Sequence, residues 1–125
     1  MLTDSNAMAT IAVRDMAVAR KFYEDTLHLR PLNTEMTGVA TYASGDSTIV
    51  IYESQYAGSN RATTVTWGLG DRLSAVVEAL AAAGVNFEHY DLPGGRREGD
   101  IHVFGDFKAA WFKDPDGNIL HINSA

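Results

Sequence analysis

Residues 110–125 read AWFKDPDGNILHINSA, and the fold follows from how this stretch must turn. Two short β-favouring runs, Ala109 to Phe112 and Ile119 to Ile122, flank the segment Asp114-Pro115-Asp116-Gly117-Asn118. Proline presets φ at the second turn position, and Gly117 or Asn118 takes the positive φ that reverses the chain. Strand alternation puts Leu120 and Ile122 on one face and Ile119, His121 and Asn123 on the other. A β-hairpin therefore ends the sequence, with His121 turned away from its apolar neighbours.

Working outward, the same chain logic appears twice. Met8 to Val13 reads as a strand, with Ile11 and Val13 on one face and Met8, Thr10 and Ala12 on the other. Asp15 is the N-cap of a helix running from about Met16 to Leu27, whose apolar stripe is Ala19, Phe22, Tyr23, Thr26 and Leu27. Strands are expected near Leu32 to Met36, Val39 to Ala43 and Thr48 to Glu53, with turns at Gly38 and Ser44-Gly45-Asp46. Gln55 to Arg61 is a polar linker. Then Thr63 to Leu69 is a strand, Asp71 a second cap, and Leu73, Val76, Val77 and Leu80 a second helical stripe that ends at Gly84. A shift of 56 positions lays Val13 on Leu69, Asp15 on Asp71, Ala19 on Ala75 and His28 on Gly84. Such self-similarity marks an internal duplication. Gly84 suits the left-handed position that stops a helix, and His28 occupies it only with strain. After Val85 to Asp91, the Gly-rich and charged stretch Leu92 to Gly105 is expected to be a lid-like loop. The intermediate result is an α+β chain of two βαβββ modules, about 7–55 and 62–125, within one domain spanning 1–125.

Bulk composition narrows the function classes. A chain of 125 residues with 46% hydrophobic content buries a real core. Its formal net charge of −6 argues against a nucleic-acid partner, whose phosphates demand Lys and Arg. With no cysteine there is no disulfide, thiol nucleophile or thiolate metal site. No apolar run approaches the roughly 20 residues that span a bilayer, so no membrane partner is expected. Met1-Leu2-Thr3-Asp4 lacks the basic and apolar regions of a signal peptide, which makes a cytoplasmic location the expectation.

The segments VRDMAVARKFYEDTLHL (Val13 to Leu29) and WFKDPDGNI (Trp111 to Ile119), in this order and spacing, resemble the vicinal oxygen chelate superfamily. That superfamily includes glyoxalase I, extradiol dioxygenases and bleomycin-resistance proteins. The resemblance covers roughly Met8 to Asn123. It implies two βαβββ modules whose mixed sheets curve around a cavity with helices outside, and a homodimer. It also implies a metal site with one ligand from each of four strands in the metal-using members. In those members a carboxylate ligand stands seven residues after the first Asp of the closing turn; here that position is His121.

Carried onto this sequence, the four ligand positions are Met8, Tyr52, Thr64 and His121. A thioether and neutral hydroxyls are poor donors for Zn²⁺, Mg²⁺ or Mn²⁺, so no metal cofactor is expected. The residues expected to line a ligand cavity are Met8, Thr10, Tyr52, Thr64, Thr66, Trp111 and His121, joined by His102 and Phe104 from the long loop. His121 reads either as a buried polar residue bonded to a neighbour such as Tyr52 or as a proton-transfer group near neutrality. Trp111 reads equally as core or as cavity wall. The expected function is binding of an apolar or aromatic metabolite or drug, as bleomycin-resistance proteins do. The alternative is a metal-dependent or metal-free lyase, isomerase or dioxygenase that uses His121 as catalytic candidate. A purely structural dimerisation module is the third reading.

Overall fold

The computed structural model describes all 125 residues, which divide into two compact units, Met1–Ser59 and Asn60–Ala125. The architecture is α+β, as expected: each unit holds one α-helix and one mixed sheet. No helix is long and apolar enough to cross a membrane.

In the first unit, β1 (Ala9–Val13) leads into α1 (Met16–Lys21), followed by β2 (Arg30–Asn33), β3 (Val39–Ser44) and β4 (Ser47–Glu53). The sheet order is β1-β4-β3-β2, with β1 parallel to β4 and the other pairs antiparallel. Asp15 caps α1 by accepting from the amides of Ala17 at 2.9 Å and Val18 at 3.2 Å. The helix then widens into a π-helical turn, Phe22–Thr26, rather than continuing as α-helix to Leu27. From that turn Glu24 accepts from the Tyr42 hydroxyl and from Arg20 Nε, both at 3.1 Å, which ties the helix to β3. Burial, and then the nearby Glu24 carboxylate, push the Tyr42 phenol up to about 12. His28 is the only non-glycine residue at positive φ, +59°. Its counterpart Gly84 sits at +93°.

β2 lies at Arg30–Asn33, earlier than the expected Leu32 to Met36. It is an edge strand with every residue exposed, so burial imposes no alternation on its sequence, and it tolerates Pro31 because one side has no ladder to feed.

The second unit repeats the scheme and adds to it. β5 (Thr63–Gly68) and α2 (Leu73–Ala82) precede five strands: β6 (Phe87–Glu88), β7 (Arg96–Glu98), β8 (Ile101–Phe104), β9 (Phe107–Lys113) and β10 (Ile119–Asn123). β10 lies between β5, its parallel partner, and β9; the far side of β9 is shared by β6 and β8. Asp71 is not a cap. It lies inside a single 3₁₀ turn, Gly70–Arg72, whose Gly70 carbonyl accepts the Leu73 amide that a capped helix would leave to a side chain.

The stretch Leu92 to Gly105 is likewise not a structureless lid. Its second half is a β-hairpin, β7–β8, added to the sheet through β9. Glu98 pairs with Ile101 around the two-residue turn Gly99-Asp100, and Phe104 pairs with Phe107 around Gly105-Asp106. Ser44 and Ser47 do the same around Gly45-Asp46. In all three turns the glycine supplies the positive φ, between +56° and +61°, that a tight hairpin needs at its first position.

This ladder has a measurable consequence. Amides of His102 and Val103 sit between two partner strands and are expected to exchange with solvent as slowly as those of β9, whereas Leu92 to Gly95 exchange fast. Equally rapid hydrogen exchange across Leu92 to Gly105 would contradict the pairing.

Candidate functional site

The closing turn sets the geometry of the second sheet. Asp114 is buried, and its Oδ1 accepts from the amides of Asp116 and Asn118, each at 2.9 Å, while Oδ2 accepts from Asn118 Nδ2 at 2.8 Å. Gly117 takes φ +92°. With the turn locked, Leu120 stands opposite Phe112, and Ile122 opposite Ala110, all buried on one face. Val65 joins them beside Leu120, and α2, with Leu73, Val77 and Leu80 buried, packs against β9. Alternation sends the other set, Trp111, His121 and Asn123, to the opposite face, with Thr66 level with His121 and His102 level with Ala109.

On that face His121 is held at both ring nitrogens. Its Nδ1 lies 3.1 Å from the Ala110 carbonyl, which only accepts, so Nδ1 carries the proton. Nε2 is then an acceptor, and Asn123 Nδ2 donates to it at 3.1 Å. The amide cannot be turned round, because Asn123 Oδ1 accepts the Ala125 amide at 3.0 Å. Trp111 stacks on the imidazole, ring centroids 4.5 Å apart and planes 28° from parallel. Burial lowers the His121 pKa below its ordinary 6.5, against the pull of the Ala110 carbonyl. The ring is a neutral imidazole with a fixed tautomer.

Next to it, His102 contacts Trp111 edge-on at 5.0 Å, and Tyr90 meets Trp111 edge-on at 5.5 Å. His102 Nε2 accepts the Tyr90 amide at 2.9 Å, so this ring too is neutral, with its proton on Nδ1. Burial lowers its pKa below 6.5. That Nδ1 is buried and makes no well-formed hydrogen bond; the Ala109 backbone on the paired strand is its neighbour and pulls the pKa back up. Tyr90 and His102 also form one wall of a cleft of about 450 Å³, whose rim carries His89, Arg96, Arg97 and Phe104.

The structure thus gathers three expected site residues, Trp111, His121 and His102, into one aromatic cluster, with Phe104 on the adjoining cleft. His102 is 2% exposed, a buried residue of β8 rather than part of a long loop. His121 is bonded to Ala110 and Asn123 and not to Tyr52. Thr66 is exposed beside His121, whereas Thr64 lies at a register shift in β5, where Thr63 pairs with Ile119 and Val65 with Leu120. Met8, Thr10 and Tyr52 belong to the first unit; Met8 is exposed just before β1 and Tyr52 is 38% exposed on β4. The register also revises one correspondence. Thr10 stands opposite Val50 as Thr66 stands opposite His121, so Val50, not Tyr52, is the first-unit counterpart of His121. Tyr52 corresponds to Asn123. Tyr90, Asn123 and Arg97 escaped the sequence reading; the alternation Ile119, His121, Asn123 was the signal for Asn123.

Comparison with known proteins places the chain. The family model described as the Glyoxalase/Bleomycin resistance protein/Dioxygenase superfamily matches residues 6–122. Among solved structures, the fosfomycin resistance protein FosX from Mesorhizobium loti is 15% identical with a TM-score of 0.70, covering 100% of this chain and 94% of that one. Lactoylglutathione lyase from Agrobacterium tumefaciens is 14% identical with a TM-score of 0.70, covering 96% and 92%. An integron cassette protein from the Halifax Harbour sewage outfall metagenome is 12% identical with a TM-score of 0.71, covering 98% and 99%. Comparison with curated protein sequences finds no match.

The two neutral imidazoles give a pH signature. The unfolded chain takes up protons on both rings near pH 6.5, while the folded chain resists until its lowered values are reached. Stability is therefore full above about pH 7.5 and falls as pH drops through 6.5, by at most about 1.4 kcal/mol per pH unit for each ring. Denaturant unfolding of wild type and of His102→Gln/His121→Gln checks this: the double variant loses the slope. Constant wild-type stability from about pH 7.5 to 5.5 would refute the neutral assignments.

Proposed function

The chain belongs to the Glyoxalase/Bleomycin resistance protein/Dioxygenase superfamily, and from that premise we propose that it binds an apolar or aromatic small molecule without a catalytic metal of its own. The observation that carries this reading is the state of His121. Its one lone pair in the imidazole plane is spent on Asn123, its proton is spent on Ala110, and its face is covered by Trp111. A metal ligand needs a free lone pair, and a proton shuttle needs a ring nitrogen open to substrate.

The remaining positions do not fit a divalent ion either. Met8 offers a thioether, Thr64 a neutral hydroxyl, Tyr52 a phenol, and Val50, the register counterpart of His121, no donor atom. Within the Asn60–Ala125 unit no three His, Asp or Glu side chains converge. What the cluster does offer is ring surface. Tyr90 and His102 each meet Trp111 edge to face and lie tilted at 32° to one another, an arrangement that leaves ring edges and faces for a flat guest. Thr64 and Thr66 of β5 are proposed to complete the lining within this unit, and His102 and Phe104 to border it; Met8, Thr10 and Tyr52 stay proposed ligand contacts of the first unit. A homodimer and a cytoplasmic setting go with this reading.

Elemental analysis and melting curves decide between binding and metal enzymology. Purified protein is expected to carry substoichiometric Zn, Ni, Mn and Fe, and EDTA to leave the melting temperature unchanged, because stabilisation follows occupancy. One equivalent of metal that survives dialysis and disappears in His121→Ala would replace this reading with a metal-dependent lyase, isomerase or dioxygenase. Light scattering at micromolar concentration tests the dimer; a monomer there removes it.

A further inference from the structure

We infer that the cleft beside Tyr90 and His102 takes the anionic end of the bound molecule, so that the ligand is an organic acid with a flat apolar body. This deepens the small-molecule reading above and rests on it. The cleft, about 450 Å³, has the size of a small-ligand pocket, commonly around 300–1,000 Å³. It is continuous with the aromatic cluster, because His102 belongs to its wall and also touches Trp111.

The charge of the ligand follows from which cleft cations are already neutralised. Of the two arginines in the lining, Arg96 holds Glu98 at 2.6 Å; His89 Nε2 is hydrogen-bonded to Asp100 at 2.7 Å. Arg97 makes no ion pair; one of its nitrogens donates to the neutral Gly99 carbonyl at 2.9 Å. A guanidinium has five N–H donors in a planar fork that matches a carboxylate, so four remain for a ligand. Register puts Arg97 directly opposite His102 across β7 and β8, hence on the same face of the sheet. His102 itself is 2% exposed and contributes ring surface to that wall rather than a donor, so the charge recognition falls to Arg97. Phe104 supplies the flat surface. Gly95 packs so close to that ring that an added Cβ would lie 2.5 Å from it, which holds the ring as a fixed wall.

One lining group opposes the inference. Asp91 is an exposed carboxylate in the lining with no ion-pair partner, and it repels an anion. The geometry therefore makes opposite demands on two neighbours: neutralising Arg97 weakens an acid ligand, and neutralising Asp91 strengthens it.

Calorimetric titration with naphthalene-2-carboxylate and naphthalene-2-carboxamide tests this, since the two probes share a ring and differ in charge. Wild type is expected to prefer the carboxylate by about tenfold, Arg97→Gln to abolish the preference, Arg97→Lys to restore part of it, and Asp91→Asn to tighten the carboxylate severalfold. Equal affinities in wild type overturn the acid ligand while leaving the aromatic-binding reading intact. A preference untouched by Arg97→Gln, or weaker carboxylate binding in Asp91→Asn, also overturns it. If neither probe binds at millimolar concentration, the flat acid is the wrong ligand class, and metal analysis still decides the reading above independently.

Discussion

Everything in the second unit depends on where the Asp114 carboxylate gathers its hydrogen bonds. Two backbone amides and the Asn118 side chain converge on it in a buried turn, from which β9 and β10 leave with Phe112 opposite Leu120 and Trp111 opposite His121. A slip of one residue would carry Leu120 and Ile122 to the face now holding His121 and Asn123, exposing the apolar set. The turn therefore fixes the core side of the sheet and the cluster side by one constraint. The same pairing repeats in the first unit: Tyr42 faces Ile49 and Ala40 faces Ile51, as Phe112 faces Leu120 and Ala110 faces Ile122.

The cluster side is organised by a chain of donors and acceptors with a single consistent direction. The Ala125 amide donates to Asn123, Asn123 to His121, and His121 to Ala110. Each link fixes the next, so the imidazole tautomer is determined from the C-terminal backbone inward. Bonded at both ring nitrogens, His121 is part of the sheet. Trp111 stacks on its ring and adds aromatic surface. His102 extends that surface toward the cleft.

The strands with one buried face were legible in the sequence, because burial wrote alternation into Ile11 and Val13, Ile49 and Ile51, and Leu120 and Ile122. The exposed edge strand β2 carried no such pattern and was placed too late in the chain. The β7–β8 hairpin was concealed by strands of three and four residues among glycines and charges. Its signal was present in Gly99-Asp100 and Gly105-Asp106, which form the same turn as Gly45-Asp46. Within the candidate site, the faces of Trp111 and His121 followed from alternation alone. The partners of His121 did not, since Ala110 and Asn123 act through a carbonyl and an amide whose alignment depends on tertiary register. The position of Val50 opposite Thr10 was also hidden, because a parallel pairing offers no turn from which to count.

The central claim is that His121 is a neutral imidazole protonated on Nδ1 whose Nε2 is already engaged. Ring ¹⁵N chemical shifts of His121, read from long-range ¹⁵N–¹H correlations at neutral pH with and without one equivalent of Zn²⁺, test it most directly. The account expects a protonated Nδ1, an accepting Nε2, and no change on adding the ion. A shift of the Nε2 resonance into the metal-bound range, with loss of the Asn123 contact, would contradict it.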